Sequence, residues 1–371
     1  MTRARLRDLR ISTGLLPTGP RNAITDVPGV AVGHATLIRG EGRHVPGEGP
    51  VRTGVTVIVP HPGPCFEQRV PAAIHVLNGA GEMTGRSQVE EWGVLVTPIY
   101  LTSTHNVGLV YDAATEYAMQ QSPAIVTRSS FVIPVVAECN DGGLNDSYGR
   151  HVKKEHVFAA LAAASAGPVD EGCVGAGTGM ISYGFKGGIG TASRRVEVGG
   201  YTVGALVLAN HGSREHLSVA GVPVGRLSRA PGPAWRPVSP VQREGSIIMV
   251  VATDAPLLPS QLRRLAVRAT LGLARTGTVS GHGSGDIAIA FSVGNLIPLD
   301  SAETLDSWRS VRDGAISHLF AGVVEATEEA VLNALTAADT MDGRDGRVVE
   351  AIPLDELREL VLGQSGSTSP A

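Results

Sequence analysis

The stretch that constrains the fold most reads Arg243-Glu244-Gly245-Ser246-Ile247-Ile248-Met249-Val250-Val251-Ala252-Thr253-Asp254. Six apolar residues follow one serine without a break, between turn-forming residues, and this pattern predicts a strand buried on both faces. The preceding segment, residues 228–240, contains four prolines and is therefore predicted to be an exposed connector. The sequence thus places a glycine and a serine where a connector enters a core strand.

Ser246 has a position that suits an amino-terminal nucleophile. A serine hydroxyl is a weak nucleophile unless a base removes its proton, and a serine at a chain start carries that base as its own α-amine. Such an amine exists only if the Gly245–Ser246 bond is cut, and glycine permits the strained backbone that self-attack requires. The alternative is that Ser246 only starts a strand after a loop, since Gly-Ser is common turn chemistry.

The composition indicates a compact, turn-rich protein with many strands. The chain has 371 residues, including 47 glycines and 23 prolines, and only 4% are aromatic. A net charge of −4 gives no basic surface for nucleic acid, and three widely spaced cysteines form neither a disulfide framework nor a zinc pattern. No apolar run has signal-peptide or membrane-spanning length. We therefore expect a cytoplasmic protein that binds neither nucleic acid nor membranes.

Apolar runs alternate with segments of helical periodicity along the chain. Besides the run after Ser246, strands are predicted at residues 30–32, 53–60, 72–77, 93–101, 131–137, 201–209 and 286–292. Helices are predicted at residues 107–120, 153–166, 258–273 and 319–335, a surface loop at 37–52 and a frayed tail at 363–371. This alternation predicts one layered domain over residues 1–371, with helices packed outside two sheets.

Recognised metal and cofactor motifs are missing from the sequence. Residues 175–180 resemble a dinucleotide-binding loop, but Met180 stands where the last glycine belongs and no phosphate-binding lysine follows. No serine has glycines two residues away on both sides, and the histidines show no HExxH spacing. We therefore expect neither a metal nor a cofactor.

Four polar residues lie near the ends of predicted strands, beside glycine-rich loops. Ser284 and Asp286 are two apart at a strand start, so both side chains can face one way and hold a neighbouring amine, or they can close a turn. Asn210 could donate its amide to an oxyanion or cap a turn. Glu138 could bind a substrate cation or form a solvated edge. Together the four predict the rim of an active site.

Eight segments, found in order over nearly the whole chain, resemble one family, the L-aminopeptidase D-amidase/D-esterases and β-peptidyl aminopeptidases. The most specific are Gly245-Ser246-Ile247-Ile248 and Ala252-Thr253-Asp254-Ala255-Pro256-Leu257. The others are residues 26–34, 78–82, 97–102, 220–225, 284–286 and 340–346.

The resemblance implies an α+β fold, a four-layer αββα sandwich like that of the amino-terminal-nucleophile hydrolases but with different strand connectivity. It implies self-cleavage into residues 1–245 and 246–371, with Gly245 as the new carboxyl terminus of the first chain. The two chains would stay together in one sandwich, and the resemblance also implies a homo-oligomer. Ser246 would be the nucleophile, Ser284 and Asp286 would assist its amine, Asn210 would serve the oxyanion, and Glu138 would bind the substrate ammonium.

The activity that the resemblance implies is release of N-terminal residues from short peptides, amino acid amides or esters, with L-, D- or β-residues all open. One position departs from the family pattern: Asn140 stands where some members have an aromatic hydroxyl, two residues after the acidic residue. Two alternatives remain. An acyltransferase of the ornithine acetyltransferase type is disfavoured by serine, rather than threonine, at the cleavage point, and an unprocessed binding protein is disfavoured by intact Ser246, Ser284 and Asp286.

Overall fold

The computed structural model describes residues 3–129, 131–232 and 245–365. Fifteen strands lie in these ranges: β1 (Ala31–Arg39), β2 (Val51–Val59), β3 (Gln68–Gly79), β4 (Val94–Leu95), β5 (Ile99–Ser103), β6 (Val135–Cys139), β7 (Ile181–Ser182), β8 (Phe185–Lys186), β9 (Gly188–Val196), β10 (Tyr201–His211), β11 (Gly245–Thr253), β12 (Gly285–Ser292), β13 (Ile297–Pro298), β14 (Met341–Asp342) and β15 (Val348–Val349).

Seven α-helices accompany them: α1 (Arg86–Trp92), α2 (Val107–Gln121), α3 (Lys154–Ala162), α4 (Val224–Leu227), α5 (Pro259–Arg275), α6 (Asp313–Thr336) and α7 (Leu354–Ser365). Helix α5 illustrates why the periodic apolar pattern of the sequence predicts a helix. Proline occupies its first turn, where its missing N–H is no loss, and its buried residues recur every three or four positions. In the ranges described, no helix combines the length and apolar character needed to cross a bilayer.

Two main sheets carry the fold, and each contains one parallel pair. The smaller has the order β1-β2-β5-β6, with β5 and β6 parallel. The larger has the order β13-β3-β12-β11-β10-β9, with β4 added beside β3, and its parallel pair is β11 and β12. Strand β11 is therefore central, paired antiparallel to β10 and parallel to β12.

The two sheets pack face to face, and helices cover both outer faces. Alternate residues of β11 point to opposite sides: Ile248 and Val250 join the core between the sheets, while Ile247 and Met249 join the core under α5 and α6. Helices α2 and α3 pack on the outer face of the smaller sheet. The predicted four-layer αββα sandwich is confirmed, because α2 and α3 cover one sheet, α5 and α6 cover the other, and the two sheets pack together between them. Both faces of β11 are buried, as its unbroken apolar run requires.

Several predicted elements need correction. The strand predicted at residues 93–101 is wrong: Thr97-Pro98 interrupts it, and the halves, β4 and β5, join different sheets. The predicted loop at 37–52 is shorter, because β1 continues to Arg39 and β2 begins at Val51. Helices α1 and α7 were not predicted from the sequence. Most of the predicted connector, residues 233–240, and of the tail, residues 366–371, lies outside the described residues.

Candidate active site

Three adjacent strands of the larger sheet bring predicted site residues into one row. Asn210 of β10 lies directly opposite Ser246 of β11 in the antiparallel register. Ser246 lies beside Gly285 of β12 in the parallel register. The row is therefore fixed by backbone pairing, and Ser284 and Asp286 flank its third member.

The Ser246 hydroxyl is held against the peptide bond that precedes it. Its Oγ donates a hydrogen bond of 2.8 Å to the carbonyl oxygen of Gly245 and accepts one of 3.2 Å from the backbone N–H of Gly285. The residue is only 6% exposed. A serine hydroxyl within hydrogen-bond reach of its own preceding carbonyl has the proximity that an intramolecular attack would require.

Gly245 has a conformation and a setting that only glycine tolerates. Its φ is +69°, in the left-handed region where a Cβ is unfavourable. A Cβ here would overlap the carbonyl oxygen of Asn210 and lie 2.9 Å from the Cα of His211. The residue before Ser246 is therefore constrained by both backbone angle and space.

Ser284 and Asp286 touch each other beside this bond. The Ser284 hydroxyl donates a 2.6 Å hydrogen bond to Asp286 Oδ1, and both residues are 1% exposed. Burial raises the pKa of Asp286, and the hydrogen bond from Ser284 opposes that rise. A buried hydroxyl–carboxylate pair at the start of β12 can orient an amine at the start of β11.

Asn210 is fixed at both ends of its carboxamide. Its Oδ1 accepts a 2.8 Å hydrogen bond from the N–H of Ile181, and its Nδ2 donates a 3.0 Å hydrogen bond to the carbonyl oxygen of Asn140. The first bond determines which end carries the NH₂ group. The amide thus presents a pre-oriented second N–H, the feature that oxyanion stabilisation requires.

Glu138 lies on β6 of the other sheet and is 4% exposed. Its Oε1 accepts a 3.0 Å hydrogen bond from the N–H of Glu82, and its Oε2 accepts one from the Thr104 hydroxyl. Burial raises the pKa of Glu138, and the Thr104 hydrogen bond is the largest opposing influence. The result is a desolvated, oriented carboxylate, suited to an organic cation.

A glycine loop joins Glu138 to the serine row. The N–H of Ala80 donates a 3.2 Å hydrogen bond to the carbonyl oxygen of Ser284. A Cβ at Gly81 would lie 3.1 Å from the Cα of Gly285 and 3.3 Å from Glu138 Oε1. Gly81 therefore fills the space between the Glu138 carboxylate and β12. At this edge, a single glycine separates Glu138 of the smaller sheet from the start of β12 in the larger sheet.

Comparison with known proteins assigns the chain to a family. A model of peptidase family S58 matches residues 22–349. The chain belongs to peptidase family S58. This S58 chain is 46% identical to the β-peptidyl aminopeptidase BapA of Sphingosinicella xenopeptidilytica over 373 aligned positions, which cover 96% of this chain and 90% of that protein. The expectation of a hydrolase of the aminopeptidase type is thereby confirmed.

Solved structures agree with the S58 assignment. The PH0078 protein from Pyrococcus horikoshii OT3 superposes with a TM-score of 0.92 at 48% identity, covering 98% of this chain and 99% of that one. The L-aminopeptidase D-Ala-esterase/amidase from Ochrobactrum anthropi gives a TM-score of 0.89 at 44% identity, covering 98% and 99%. That structure is described as a prototype of the serine aminopeptidases and a new variant of the Ntn hydrolase fold, which confirms the expected architecture.

Asn140 contributes to this candidate site through its backbone, which the family pattern does not suggest. Its side chain is exposed and accepts a 2.8 Å hydrogen bond from the N–H of Gly142. Its backbone carbonyl, however, holds the amide of Asn210. A loop carbonyl, which any residue type supplies, thus orients Asn210.

Two groups that contact the predicted site residues could not be identified from the sequence. The N–H of Gly285 contacts the Ser246 hydroxyl, and the hydroxyl of Thr104 contacts Glu138. Almost every residue type has a backbone N–H, so the sequence cannot indicate the contact made by Gly285. Thr104 lies in a polar turn that matches no recognised motif. No trio of metal-ligating side chains gathers anywhere in the described part of this S58 chain.

Proposed function

We propose that this chain is an autoprocessed serine aminopeptidase that cuts its own Gly245–Ser246 bond and then releases N-terminal residues from short peptides, amino acid amides or esters. The observation that carries the proposal is the 2.8 Å contact between Ser246 Oγ and the Gly245 carbonyl oxygen. The 3.2 Å hydrogen bond from the N–H of Gly285 adds support, because it fixes the hydroxyl from the other side.

The maturation step follows from that contact. Ser246 Oγ attacks the Gly245 carbonyl carbon, the C–N bond breaks, and the proton of the hydroxyl passes to the departing nitrogen. The product is an ester between Gly245 and Ser246 with a free α-amine. Water then hydrolyses the ester and leaves residues 1–245 and 246–371 as separate chains in one fold. The left-handed backbone at Gly245 supports this route, because it places the carbonyl beside the hydroxyl.

Turnover uses the amine that maturation releases. The Ser246 α-amine, with an unperturbed pKa of about 7.7–8.0, accepts the hydroxyl proton while Oγ attacks the substrate carbonyl. Ser284 and Asp286 hold this amine, since their buried pair adjoins the start of β11. Asn210 donates its second N–H to the developing oxyanion. An acyl-enzyme forms on Ser246 and water hydrolyses it.

Glu138 defines the substrate class in this proposal. A buried carboxylate with both oxygens oriented by Glu82 and Thr104 binds a free ammonium group, so the substrate needs an unblocked N-terminus. The 46% identical relative is named a β-peptidyl aminopeptidase, which supports β-residues among the accepted N-terminal residues. A homo-oligomer of the processed pair also belongs to the proposal, and native mass measurement tests it.

Denaturing intact-mass analysis of freshly purified protein tests the proposal first. We expect two species, residues 1–245 and 246–371, and a single uncut species for Ser246→Ala. A Ser246→Ala chain that is cut and active would overturn the mechanism. A wild-type chain that stays at 38.4 kDa on incubation would instead favour the binding-protein alternative.

A substrate panel then resolves the activity of the cut enzyme. L-alanyl, D-alanyl and β-homoalanyl p-nitroanilides separate the three residue classes, and their N-acetyl forms test the need for an ammonium group. Adding a large excess of a free amine acceptor tests the acyltransferase alternative. Hydrolysis without acceptor-dependent product supports the aminopeptidase, whereas turnover that needs the acceptor contradicts it.

A further inference from the structure

One segment of the family resemblance, residues 340–346, takes no part in the proposed mechanism. Most of it belongs to a hairpin, residues 341–349, in which β14 pairs with β15. The hairpin lies after the Gly245–Ser246 bond, so cleavage would place it in the chain that begins with the nucleophile. The loop that follows β6, residues 140–146, precedes the bond and would belong to the other chain.

The 341–349 hairpin holds the 140–146 loop by hydrogen bonds. The N–H of Arg344 donates a 2.9 Å hydrogen bond to the carbonyl oxygen of Leu144. The Arg347 guanidinium donates one of 3.1 Å to the carbonyl oxygen of Gly143. Two successive carbonyl groups of the loop are therefore fixed from the hairpin.

The hairpin also supports both groups that hold the Asn210 carboxamide. Leu144 packs with one apolar residue from each hairpin strand, and Ile181 packs against this buried cluster. The N–H of Ile181 and the carbonyl oxygen of Asn140 are the hydrogen-bond partners of the Asn210 carboxamide. A displacement of Leu144 would therefore move the groups that orient this amide.

Hairpin and loop are in tight contact at Gly343. A Cβ there would lie 2.6 Å from the carbonyl oxygen of Leu144 and 2.7 Å from its Cα, and these backbone atoms cannot rotate away. The φ of Gly343 is −143°, in the extended region that any residue adopts. An added methyl group would therefore act by pushing Leu144 and not by straining the backbone angle of Gly343.

We propose that the 341–349 hairpin positions the oxyanion-binding amide. By holding Leu144 it fixes the Asn140 carbonyl group, and through that group it sets the direction of the second N–H of Asn210. In the cut protein, the chain that carries the nucleophile would thus also position the oxyanion site of the other chain. This inference rests on the proposed function, in which Asn210 stabilises the oxyanion.

Gly343→Ala tests the inference in the cut enzyme, with rates taken per cut chain as determined by intact mass. We expect kcat to fall about 10- to 100-fold with KM within about twofold, because an oxyanion interaction is made only in the transition state. Gly314→Ala is the matched control: nothing lies within 4 Å of its Cβ position, and kcat should not change.

A milder change removes one hydrogen bond of the hairpin. Arg347→Met keeps a long side chain but cannot donate to the carbonyl oxygen of Gly143. We expect kcat to fall about three- to tenfold, again with little change in KM, because a hydrogen bond from a charged group is lost. Arg347→Lys keeps a donor and should recover part of the loss.

Two inhibitors distinguish positioning of the amide from a general loss of structure. Racemic 1-aminoethylboronic acid adds to the Ser246 hydroxyl and places an oxygen in the oxyanion site, whereas n-butylamine occupies only the ammonium site. We expect Gly343→Ala to weaken boronic acid binding by about the same factor as kcat, and n-butylamine binding by less than about twofold. Equal losses for both inhibitors would overturn the inference.

A double-mutant cycle asks whether the hairpin acts through Asn210. Asn210→Ala should lower kcat by roughly 10²- to 10³-fold, and adding Gly343→Ala should cost nothing further, because both changes act on one amide. Multiplicative losses would overturn the inference. If the Asn210→Ala chain is not cut, the inhibitor comparison decides alone.

The remaining outcomes separate this inference from the proposed function. A Gly343→Ala enzyme with the kcat of the wild type overturns the inference and leaves the proposed function intact. If circular dichroism shows that Gly343→Ala does not fold, the Arg347→Met and Arg347→Lys variants enter the same comparisons. A wild-type chain that is neither cut nor active refutes the proposed function itself, before any hairpin variant is compared.

Discussion

The two sheets each contain one parallel pair, and each pair carries one part of the candidate site at an opposite end. In the smaller sheet, Glu138 lies near the carboxyl ends of β5 and β6. In the larger sheet, Ser246 and Gly285 lie at the amino ends of β11 and β12. Face-to-face packing brings these ends to a common edge, where Gly81 fits between them.

The two ends are built by different means. The position of Ser246 depends on close backbone packing that leaves no room for further side-chain atoms. A Cβ at Gly285 would lie 2.7 Å from the carbonyl oxygen of Ala80, and Gly245 is equally confined. Around Glu138, position depends on hydrogen bonds from Thr104 and from the N–H of Glu82. The geometry around Ser246 should therefore be sensitive to added atoms, and the geometry around Glu138 to removed hydrogen-bonding groups.

The largest effect should follow from adding one methyl group at the cleavage point. We expect Gly245→Ala to abolish detectable self-cleavage, because the new Cβ overlaps the Asn210 carbonyl oxygen and misplacement by ~1 Å costs about 10²-fold or more. Intact mass over time measures this. Gly346→Ala is the matched control: its φ is +67°, nothing lies within 4 Å of its Cβ position, and it should mature normally. Equal effects of both variants would mean that the general cost of alanine in left-handed backbone, and not crowding beside Gly245, prevents maturation.

At the other end, removing charge should impair substrate binding without preventing maturation. We expect Glu138→Gln to be cut normally and to lose roughly 30- to 1000-fold in kcat/KM, because truncating one partner of a buried charge pair costs about 2–4 kcal/mol. Glu82→Gln is the control, since Glu82 contacts Glu138 through its backbone N–H, which the substitution keeps. A Glu138→Gln enzyme with unchanged kcat/KM would remove the carboxylate from the substrate site.

A smaller loss should result from removing the Thr104 hydroxyl. We expect Thr104→Val to raise KM about tenfold with little change in kcat, because a hydrogen bond to a charged group contributes about 1.5 kcal/mol or more. Thr104→Ser retains the hydroxyl and should recover most of the loss. If serine fails as valine does, packing of the Thr104 methyl rather than the hydrogen bond positions Glu138.

The smallest effect concerns pH. Burial raises the pKa of Glu138, and only the ionised form attracts ammonium, so kcat/KM should be highest above that pKa and fall as pH decreases through it. Thr104→Val removes a hydrogen bond that favours the ionised form, so the acid limb should move to higher pH by less than about one unit. An unmoved limb would assign the acid titration to another group, such as the Ser246 α-amine, which must be unprotonated to accept the hydroxyl proton.

The difference between the ends also explains what the sequence could reveal. The apolar run after Ser246 predicted a central strand, because burial on both faces permits no polar interruption. Glu138 and Asn210 were visible as polar residues near apolar strand ends. The single strand predicted at residues 93–101 was wrong, because its two halves are equally apolar although they belong to different sheets. Only Thr97-Pro98 marks the place where the chain passes from one sheet to the other.

Tertiary contacts account for the remaining omissions. The N–H of Gly285 contacts Ser246 only because the two residues are paired between β11 and β12, and this strand register is not encoded by residue type. The role of Glu138 is a prediction that the variants above test, and the roles of Ser284, Asp286 and Asn210 remain predictions.

The strand order of the larger sheet has a consequence for how the protein can fold. Strands β3, β9 and β10 precede the Gly245–Ser246 bond, which lies at the start of β11. The rest of β11, together with β12 and β13, follows the bond, yet β12 lies between β3 and β11. After cleavage, a single hydrogen-bonded sheet would contain interleaved strands from two separate polypeptides. The intact precursor folds as a single molecule, whereas the cut form, once unfolded, must find its partner at a rate that depends on concentration. After thermal unfolding, the cut protein should therefore recover its native state more slowly than the intact precursor, and more slowly still on dilution.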